Sequence, residues 1–164
     1  MAVAVTGALW LSGARLFAFP GESMAPTVMP GDYFVGMVGL WGTRAPERFD
    51  LVIFDVPPES KWADLGIPWM KRVVGLPGER VRLAGERLFI DGQEVTAPFL
   101  HLARTTTIES EVDVALKADE PFVLGDNLDH SFDDSRSLGP IRRSLLQGSV
   151  ALVIRRGKAE APKL

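Results

Sequence analysis

Short apolar segments separated by proline and glycine turns run through the chain from residue 32 onward, and they constrain its fold most. Each segment is too short for a helix that buries one face, and its β-branched and aromatic side chains favour a strand. Strands are predicted at residues 33–38, 49–56, 69–75, 80–83, 87–90, 93–95, 122–124 and 148–154. One helical turn is predicted near residues 142–146. The fold class is therefore predicted to be all-β (mainly β), with antiparallel sheets in a barrel-like or sandwich architecture.

Composition limits the classes of partner and chemistry. A chain of 164 residues that is 46% hydrophobic can bury one core, and a net charge of −3 argues against a nucleic-acid partner. The absence of cysteine excludes disulfides and a thiol nucleophile, and two histidines are too few for a histidine-rich metal site. We expect a monomer with no metal and no cofactor.

The N-terminal residues form the most lipophilic stretch of the chain. Residues 2–14 are an uncharged run of 13 residues, whereas a membrane span needs about 20. If Arg15 snorkels to the interface, the apolar segment extends to Phe19. We predict a membrane-associated segment at residues 1–18, the alternative being a buried first helix or strand. A β domain is then expected at 19–157, with an excursion or small lobe at 97–120, and a tail at 158–164.

Ser23 is the first candidate for chemistry. It follows an apolar run and the Pro20-Gly21 break, and Pro26 fixes its own φ and restricts Ala25 to extended conformations. A serine in such a stiff segment suits a nucleophile that meets an extended peptide, although on this segment alone a plain turn serine is the simpler interpretation.

Lys71 is the stronger candidate for the base that such a serine needs. It lies in an otherwise apolar strand, and strand alternation places Lys71 and Arg72 on opposite faces, so one of them is expected to point inward. Lowering the lysine pKa from about 10.4 to about 8 by burial would cost about 3 kcal/mol. The alternatives are a snorkelling lysine at a sheet edge and a triad built on His130, whose surroundings are those of a loop histidine.

Residues 125–136 form the third segment of interest, dense in turn formers and hydrogen-bonding side chains. A plain loop accounts for this composition. Beside a Ser–Lys pair, however, Ser131 could orient the lysine amine, and Asp134 with Arg136 could stiffen the loop.

These three segments, in this order, resemble type I signal peptidases, the membrane-bound Ser–Lys proteases that remove signal peptides from exported proteins. The matching pieces are Ser23-Met24-x-Pro26-Thr27, Pro30-Gly31-Asp32, residues 71–79, Gly125-Asp126-Asn127, Ser131 and Asp134-Ser135-Arg136. The resemblance spans about residues 16 to 154 and implies that family's coiled antiparallel sheets, with a reduced second lobe.

By resemblance, Ser23 is the nucleophile and Lys71 the general base, while Ser131 positions the lysine amine and Asp134 with Arg136 forms a supporting ion pair. The Ser23 backbone N–H would hold the oxyanion. The substrate-binding side chains implied are Phe17, Phe19, Met24, Phe34 and Met70. Expected partners are signal peptides of preproteins and membrane lipid, with the catalytic domain on the extracytoplasmic face of the cell membrane.

The chain departs from the family pattern at three places. Gly21 stands where some members carry a serine that donates to the oxyanion, so the second donor is unassigned. Leu128 stands where many bacterial members carry arginine. The sequence Leu-x-His-Ser that begins there is similar to that of the mitochondrial inner-membrane peptidases. Two residues separate Ser131 from Asp134 where one is usual, so either Asp133 or Asp134 could pair with Arg136.

Two other functions were weighed. A self-cleaving repressor of the LexA type also pairs serine with lysine, but only 22 residues precede Ser23, too few for a DNA-binding domain. A catalytically silent β module that binds extended peptides or lipid surfaces is the alternative from another class.

Overall fold

The computed structural model describes residues 13–39, 44–85, 87–101, 111–131, 133–155 and 158–160. Within them the chain is mainly β, and every strand pair is antiparallel. The strands are β1 (Ala14–Phe19), β2 (Asp32–Val38), β3 (Leu51–Phe54), β4 (Trp69–Gly75), β5 (Arg80–Ala84), β6 (Arg87–Ile90), β7 (Gln93–Val95), β8 (Val112–Ala115), β9 (Phe122–Leu124), β10 (Leu146–Arg155) and β11 (Lys158–Glu160). The predicted fold class is confirmed.

The strands form two sheets. The larger has the order β1-β2-β10-β3-β4-β9, with β11 paired to β10, and the smaller has the order β7-β6-β5-β8. The long strand β10 contacts β2, β3 and β11, so it joins the first third of the chain to its end. The predicted strand at 49–56 is shorter in the structure because Phe49 has a φ of 74° and Pro57 follows soon after.

The first strand overlaps the end of the segment predicted at residues 1–18. Ala14 pairs with Met37 and Phe19 with Asp32, so β1 belongs to the larger sheet. Residues 14–19 are therefore a sheet strand and not part of a spanning helix, and the predicted boundary at residue 18 falls inside this strand. Membrane association of residues 1–18 stays a prediction. Residues 1–12 lie outside the described part of the chain. Among the described residues, no helix has the length and apolar character needed to cross a bilayer.

The predicted excursion at 97–120 contributes to the smaller sheet. Its strand β8 returns to pair with β5, and Leu116 packs in the core cluster between the sheets with Val81 and Phe122. Residues 102–110 of the excursion lie outside the described ranges, as does the end of the predicted tail at 161–164.

Short helical turns carry the chain between the strands. The turn predicted near 142–146 is present as a 3₁₀ turn at Arg143–Leu145, and two others lie at Ala63–Leu65 and Leu128–His130. Helix α1 (Ser135–Leu138) was not predicted. Asp134 caps it by accepting a hydrogen bond from the Arg136 backbone N–H, a local contact that composition alone reads as a loop.

Candidate active site

Lys71 lies on β4, an interior strand of the larger sheet between β3 and β9, where a buried charged side chain is rarely found. It is paired with Val52 on β3, and its side chain is buried, with the residue only 5% exposed. Arg72, the next residue, is also fully buried. One of these two side chains was expected to point inward. In the structure both are buried, because both faces of β4 are covered.

Ser131 is the hydrogen-bond partner of the lysine amine. Lys71 Nζ donates to Ser131 Oγ at 3.0 Å, and Ser131 Oγ donates to Asp134 Oδ2 at 2.7 Å. A hydroxyl has one hydrogen, and an ionised carboxylate only accepts, so the Ser131 hydrogen is used on Asp134. Ser131 can then only accept from Lys71, and the lone pair of a neutral lysine amine is left for another donor.

The carboxylate of Asp134 is fully buried, and five hydrogen bonds hold it in place. It accepts from Ser131 Oγ, the Gly125 N–H, the Arg136 N–H, Arg136 Nε at 2.9 Å and Arg136 Nη2 at 3.0 Å. Asp134, not Asp133, therefore pairs with Arg136. Asp133 instead accepts from the Trp62 indole Nε1 at 2.7 Å.

Burial shapes the acid–base behaviour of the lysine. Loss of solvation lowers the pKa of Lys71 from its ordinary 10.5 to about 8, against the opposing attraction of Asp134 and Asp133. Burial disfavours the charged amine more than the carboxylates favour it. At a pKa of about 8, roughly a tenth of the lysine is neutral at pH 7, compared with fewer than one in a thousand for an exposed lysine.

The segment around Ser23 connects β1 to β2 and is fastened to the 125–136 loop. The Ser23 carbonyl accepts from the Asn127 N–H at 3.0 Å, and the Glu22 carbonyl accepts from the Asn127 side chain at 3.3 Å. Ser23 and Lys71 line one cavity of about 470 Å³. The structure thus brings the predicted nucleophile and base to a common space.

Gly125 occupies the point where the three predicted segments meet. A Cβ built there would lie 2.3 Å from Ser131 Oγ and 2.6 Å from the Ser23 carbonyl oxygen, distances that no side chain tolerates. A residue without a side chain is therefore required for Ser131 and Ser23 to approach each other.

The rest of the cavity is largely apolar and contains most of the predicted substrate-binding residues. Phe17, Phe19, Phe34 and Met70 line it, and the Phe17 and Phe34 rings stack with centroids 5.0 Å apart. Met24 does not line it: this side chain is fully buried in the core cluster behind the cavity.

Gly21 also lines the cavity, where an added Cβ would come no closer than 3.9 Å to the Phe19 ring. The position thus has room for a side chain, but glycine supplies no hydroxyl.

Sequence reasoning missed the role of Arg72. Its guanidinium donates to Asp126 Oδ1 at 2.7 Å and Oδ2 at 2.6 Å, and to the Phe49 carbonyl at 2.9 Å. Thr27 Oγ1 donates to the same Asp126 carboxylate. The Phe99 ring lies 4.1 Å from the guanidinium carbon. This cluster ties the segment after Ser23 to β4. The signal was present, since an aspartate follows an apolar strand and an arginine lies inside another.

His130 was weighed as an alternative base, and His101 is the second histidine of the chain. His130 lies on the cavity rim, more than half exposed, with Nδ1 3.2 Å from a Glu22 oxygen. His101 forms a backbone bridge with Asn127. Among the described residues, no group of three acidic or histidine side chains could hold a metal ion.

Comparison with known proteins identifies relatives of the whole chain. The family model described as signal peptidase, peptidase S26, matches residues 1–155. Signal peptidase I V of Bacillus subtilis (strain 168) is 30% identical over 162 residues, which cover 92% of this chain and 89% of that protein. Signal peptidase I of Bacillus caldolyticus is 27% identical over 92% of this chain and 84% of its own length.

A solved structure agrees with these relatives. The crystal structure of a signal peptidase I from Enterococcus faecalis V583 matches with a TM-score of 0.53 and 27% sequence identity. The match covers 65% of this chain and 97% of that one.

Proposed function

Because this chain belongs to the signal peptidase family, peptidase S26, we propose that it removes N-terminal signal peptides from exported preproteins through Ser23 and Lys71. The resemblance noted in the sequence is confirmed, and with it the serine endopeptidase class. One observation supports the Ser–Lys assignment above the others. The buried Lys71 amine, which loses its proton near pH 8, shares a cavity with Ser23 and is held by Ser131.

The proposed first step is acylation. Neutral Lys71 Nζ takes the proton of Ser23 Oγ as that oxygen attacks the scissile carbonyl carbon. The carbonyl oxygen becomes an oxyanion, held by the Ser23 backbone N–H. Lys71 then gives its proton to the leaving amine, the C–N bond breaks, and the signal peptide remains as an ester on Ser23.

The second step is hydrolysis of that ester. Lys71, neutral again, takes a proton from water, whose oxygen attacks the ester carbonyl carbon. The C–O bond to Ser23 breaks, and Ser23 Oγ recovers its proton from Lys71. Ser131 and Asp134 keep the amine in one orientation through both steps, since their hydrogen bonds are committed to each other and to Lys71.

The cavity suits an extended peptide with small side chains. Strand β1 is an edge of the larger sheet and supplies Phe17 and Phe19 to the cavity wall, so a substrate strand would add along this edge. The shallow apolar space between Phe17, Phe34 and Met70 would receive the small residues before the scissile bond.

The family is membrane-associated, and we place this chain at the cell membrane with its catalytic domain on the extracytoplasmic face. Three exposed apolar side chains, one of which lines the cavity, support a lipid contact. Leu16 on β1 is 63% exposed, Tyr33 on β2 is 50% exposed, and Ile67 on the cavity wall is 53% exposed. Our proposal is that the enzyme works as a monomer at the lipid surface.

A cleavage assay on a preprotein with a small-x-small motif tests the function. Ser23→Ala and Lys71→Met should each abolish cleavage, because each removes a group that handles the transferred proton. Wild-type activity should rise as the pH increases through about 8, since only the neutral amine can act as a base.

Two exposed positions provide matched controls for this assay. Ser144→Ala and Lys117→Met change the same residue types outside the cavity and should leave cleavage intact. Turnover by either Ser23→Ala or Lys71→Met would exclude the Ser–Lys assignment. Peptide binding that survives both changes, with no turnover by the wild type, would instead identify a binding module.

A further inference from the structure

The segment between β3 and β4 forms part of the cavity wall. It runs over residues 57–68 and places Ile67 and Pro68 against the same space as Ser23 and Lys71. Ile67 is half exposed, so its position depends on what holds the rest of this segment. We call residues 57–68 the wall segment.

Most described contacts of the wall segment are internal or exposed. Backbone hydrogen bonds join Ser60 to Pro57 and Ala63 to Ser60, which shape the segment without fixing it to the sheet. Glu59 forms an ion pair with Arg142 in which both side chains are about half exposed or more. Such exposed pairs contribute little.

One part-buried contact crosses from the wall segment to the loop that holds the lysine. Trp62 Nε1 donates to Asp133 Oδ1 at 2.7 Å, a contact between residues 71 positions apart. Asp133 also lines the cavity, next to Asp134, whose carboxylate orients Ser131. The same loop therefore orients the lysine amine and holds the opposite wall.

We propose that Asp133 is a positioning residue for substrate binding, whose hydrogen bond to Trp62 sets the distance between the Ile67–Pro68 wall and the cavity floor. The inference rests on the proposed function, because the wall would contact the peptide that is cleaved. The bond acts through Trp62 and not through contact with the reacting atoms.

The charge of Asp133 has a second effect that can be measured separately. Along with Asp134 and Asp126 it raises the pKa of Lys71, while burial and Arg136 lower it. Glu22 and His130 line the same cavity. An asparagine at position 133 would keep an oxygen that accepts from Trp62 but would remove the charge, so the two effects separate in one variant.

Kinetics of preprotein cleavage test the hydrogen bond. Asp133→Ala and Trp62→Phe should each raise KM about 5- to 10-fold, the size expected for one part-buried hydrogen bond, with a smaller change in kcat. The double variant should be no worse than either single one, since both remove the same bond. Asp133→Asn should have a KM close to that of the wild type, because the asparagine oxygen still accepts from Trp62.

The pH profile tests the charge. Asp133→Asn and Asp133→Ala should both move the rise of activity to lower pH, since removal of the carboxylate favours the neutral lysine. Trp62→Phe should leave the midpoint in place. A KM in Asp133→Ala equal to that of the wild type, or in Asp133→Asn equal to that of Asp133→Ala, would overturn the proposal.

Limited proteolysis gives a readout that needs no catalysis. Trypsin cuts after exposed Lys61, next to Trp62, and should do so faster in Asp133→Ala than in the wild type or Asp133→Asn. Asp113→Ala, which removes a carboxylate bonded to Arg80 at 2.7 Å in the smaller sheet, is the control and should leave this rate unchanged. Equal rates in all four proteins would refute the contact. Lack of preprotein cleavage by the wild type would instead refute the proposed function.

Discussion

Lys71 and Arg72 are neighbours on one strand and both are buried, yet their charges meet different partners on the two sides of β4. Arg72 meets the carboxylate of Asp126 with two hydrogen bonds and a carbonyl with a third. Lys71 meets only a hydroxyl, that of Ser131, among its described hydrogen bonds, and the nearest carboxylates act on it across a distance.

The comparison shows that burial alone does not decide what a cation does. On the Arg72 side the charge is paired with Asp126, which also bonds Thr27 and so joins the Ser23 segment to the sheet. The arginine therefore has a structural role. On the Lys71 side burial lowers the pKa of the amine, and none of the described carboxylates is hydrogen-bonded to it, so the proton is easily lost and the amine can act as a base. Three substitutions test this difference, from the largest expected effect to the smallest.

Replacing Lys71 with arginine should give the largest loss. The variant keeps a positive charge on this side of β4 but cannot lose its proton, because arginine stays protonated at every accessible pH. Cleavage should fall by about 10⁴-fold or more and should not recover as the pH rises. Initial rates between pH 6 and 10 measure this, with exposed Lys117→Arg as control. Recovery of activity at high pH would mean that residue 71 is not the base.

Replacing Asp126 with alanine should give the next largest effect, on stability. Arg72 would keep its buried charge without its partner, which typically destabilises a protein by about 3–5 kcal/mol. Urea unfolding at pH 7 measures the free energy.

The double variant Arg72→Met with Asp126→Leu is the matched control for that experiment. It removes both charges and should recover much of the loss. A change below about 1 kcal/mol in Asp126→Ala alone would contradict the view that the Arg72 charge needs this carboxylate.

Replacing Lys71 with methionine should stabilise the protein while it abolishes cleavage. The native pKa of about 8 lies below the ordinary 10.5, so the burial penalty is fully present below pH 8. Between these values the unfolded chain binds more protons, and wild-type stability rises with pH. The penalty is about 3 kcal/mol, and loss of the Ser131 hydrogen bond offsets about 1 of it.

The expected gain is therefore about 2 kcal/mol at pH 7, shrinking as the pH rises toward 10.5. Unfolding curves at pH 7 and pH 9.5 measure it, and Lys117→Met should show no such trend. A gain that does not change with pH would show that the native lysine keeps its proton up to pH 9.5, so that burial does not lower its pKa.

Much of the fold follows from the sequence because turn residues divide the strands. The strand predicted at 69–75 matches β4, and those predicted at 87–90 and 93–95 match β6 and β7, each bounded by glycine or proline. Helix α1 was missed because it is only four residues long, so its local cap, Asp134, stands in a segment whose composition is that of a loop. Strand β1 was taken for part of an apolar membrane segment, since its pairing with β2 is invisible to local hydropathy.

Some residues of the site were predicted from the sequence, whereas others could not be, because their positions depend on tertiary packing. Lys71 was proposed as the base from its place in an apolar strand and Ser131 as its partner from the 125–136 loop, and the resemblance implied the same roles. Their hydrogen bond in the structure agrees with that interpretation, while their catalytic roles stay predictions. The Arg72–Asp126 cluster was missed because period-2 alternation says only which face a side chain takes, not whether both faces are covered. Met24, predicted to bind substrate, is fully buried and lies outside the cavity lining, a placement that its position in the sequence does not show.

The contacts that assemble the site join distant parts of the chain. Thr27 and Asp126 lie 99 positions apart, and Lys71 and Ser131 lie 60 apart. A growing chain that ends before residue 125 has its serine and its lysine but lacks Ser131 and Asp134, which orient the lysine amine, so a protease of this design stays inactive until the 125–136 loop is made. On refolding, enzymatic activity would then return with the slowest long-range contacts and not with the first strands.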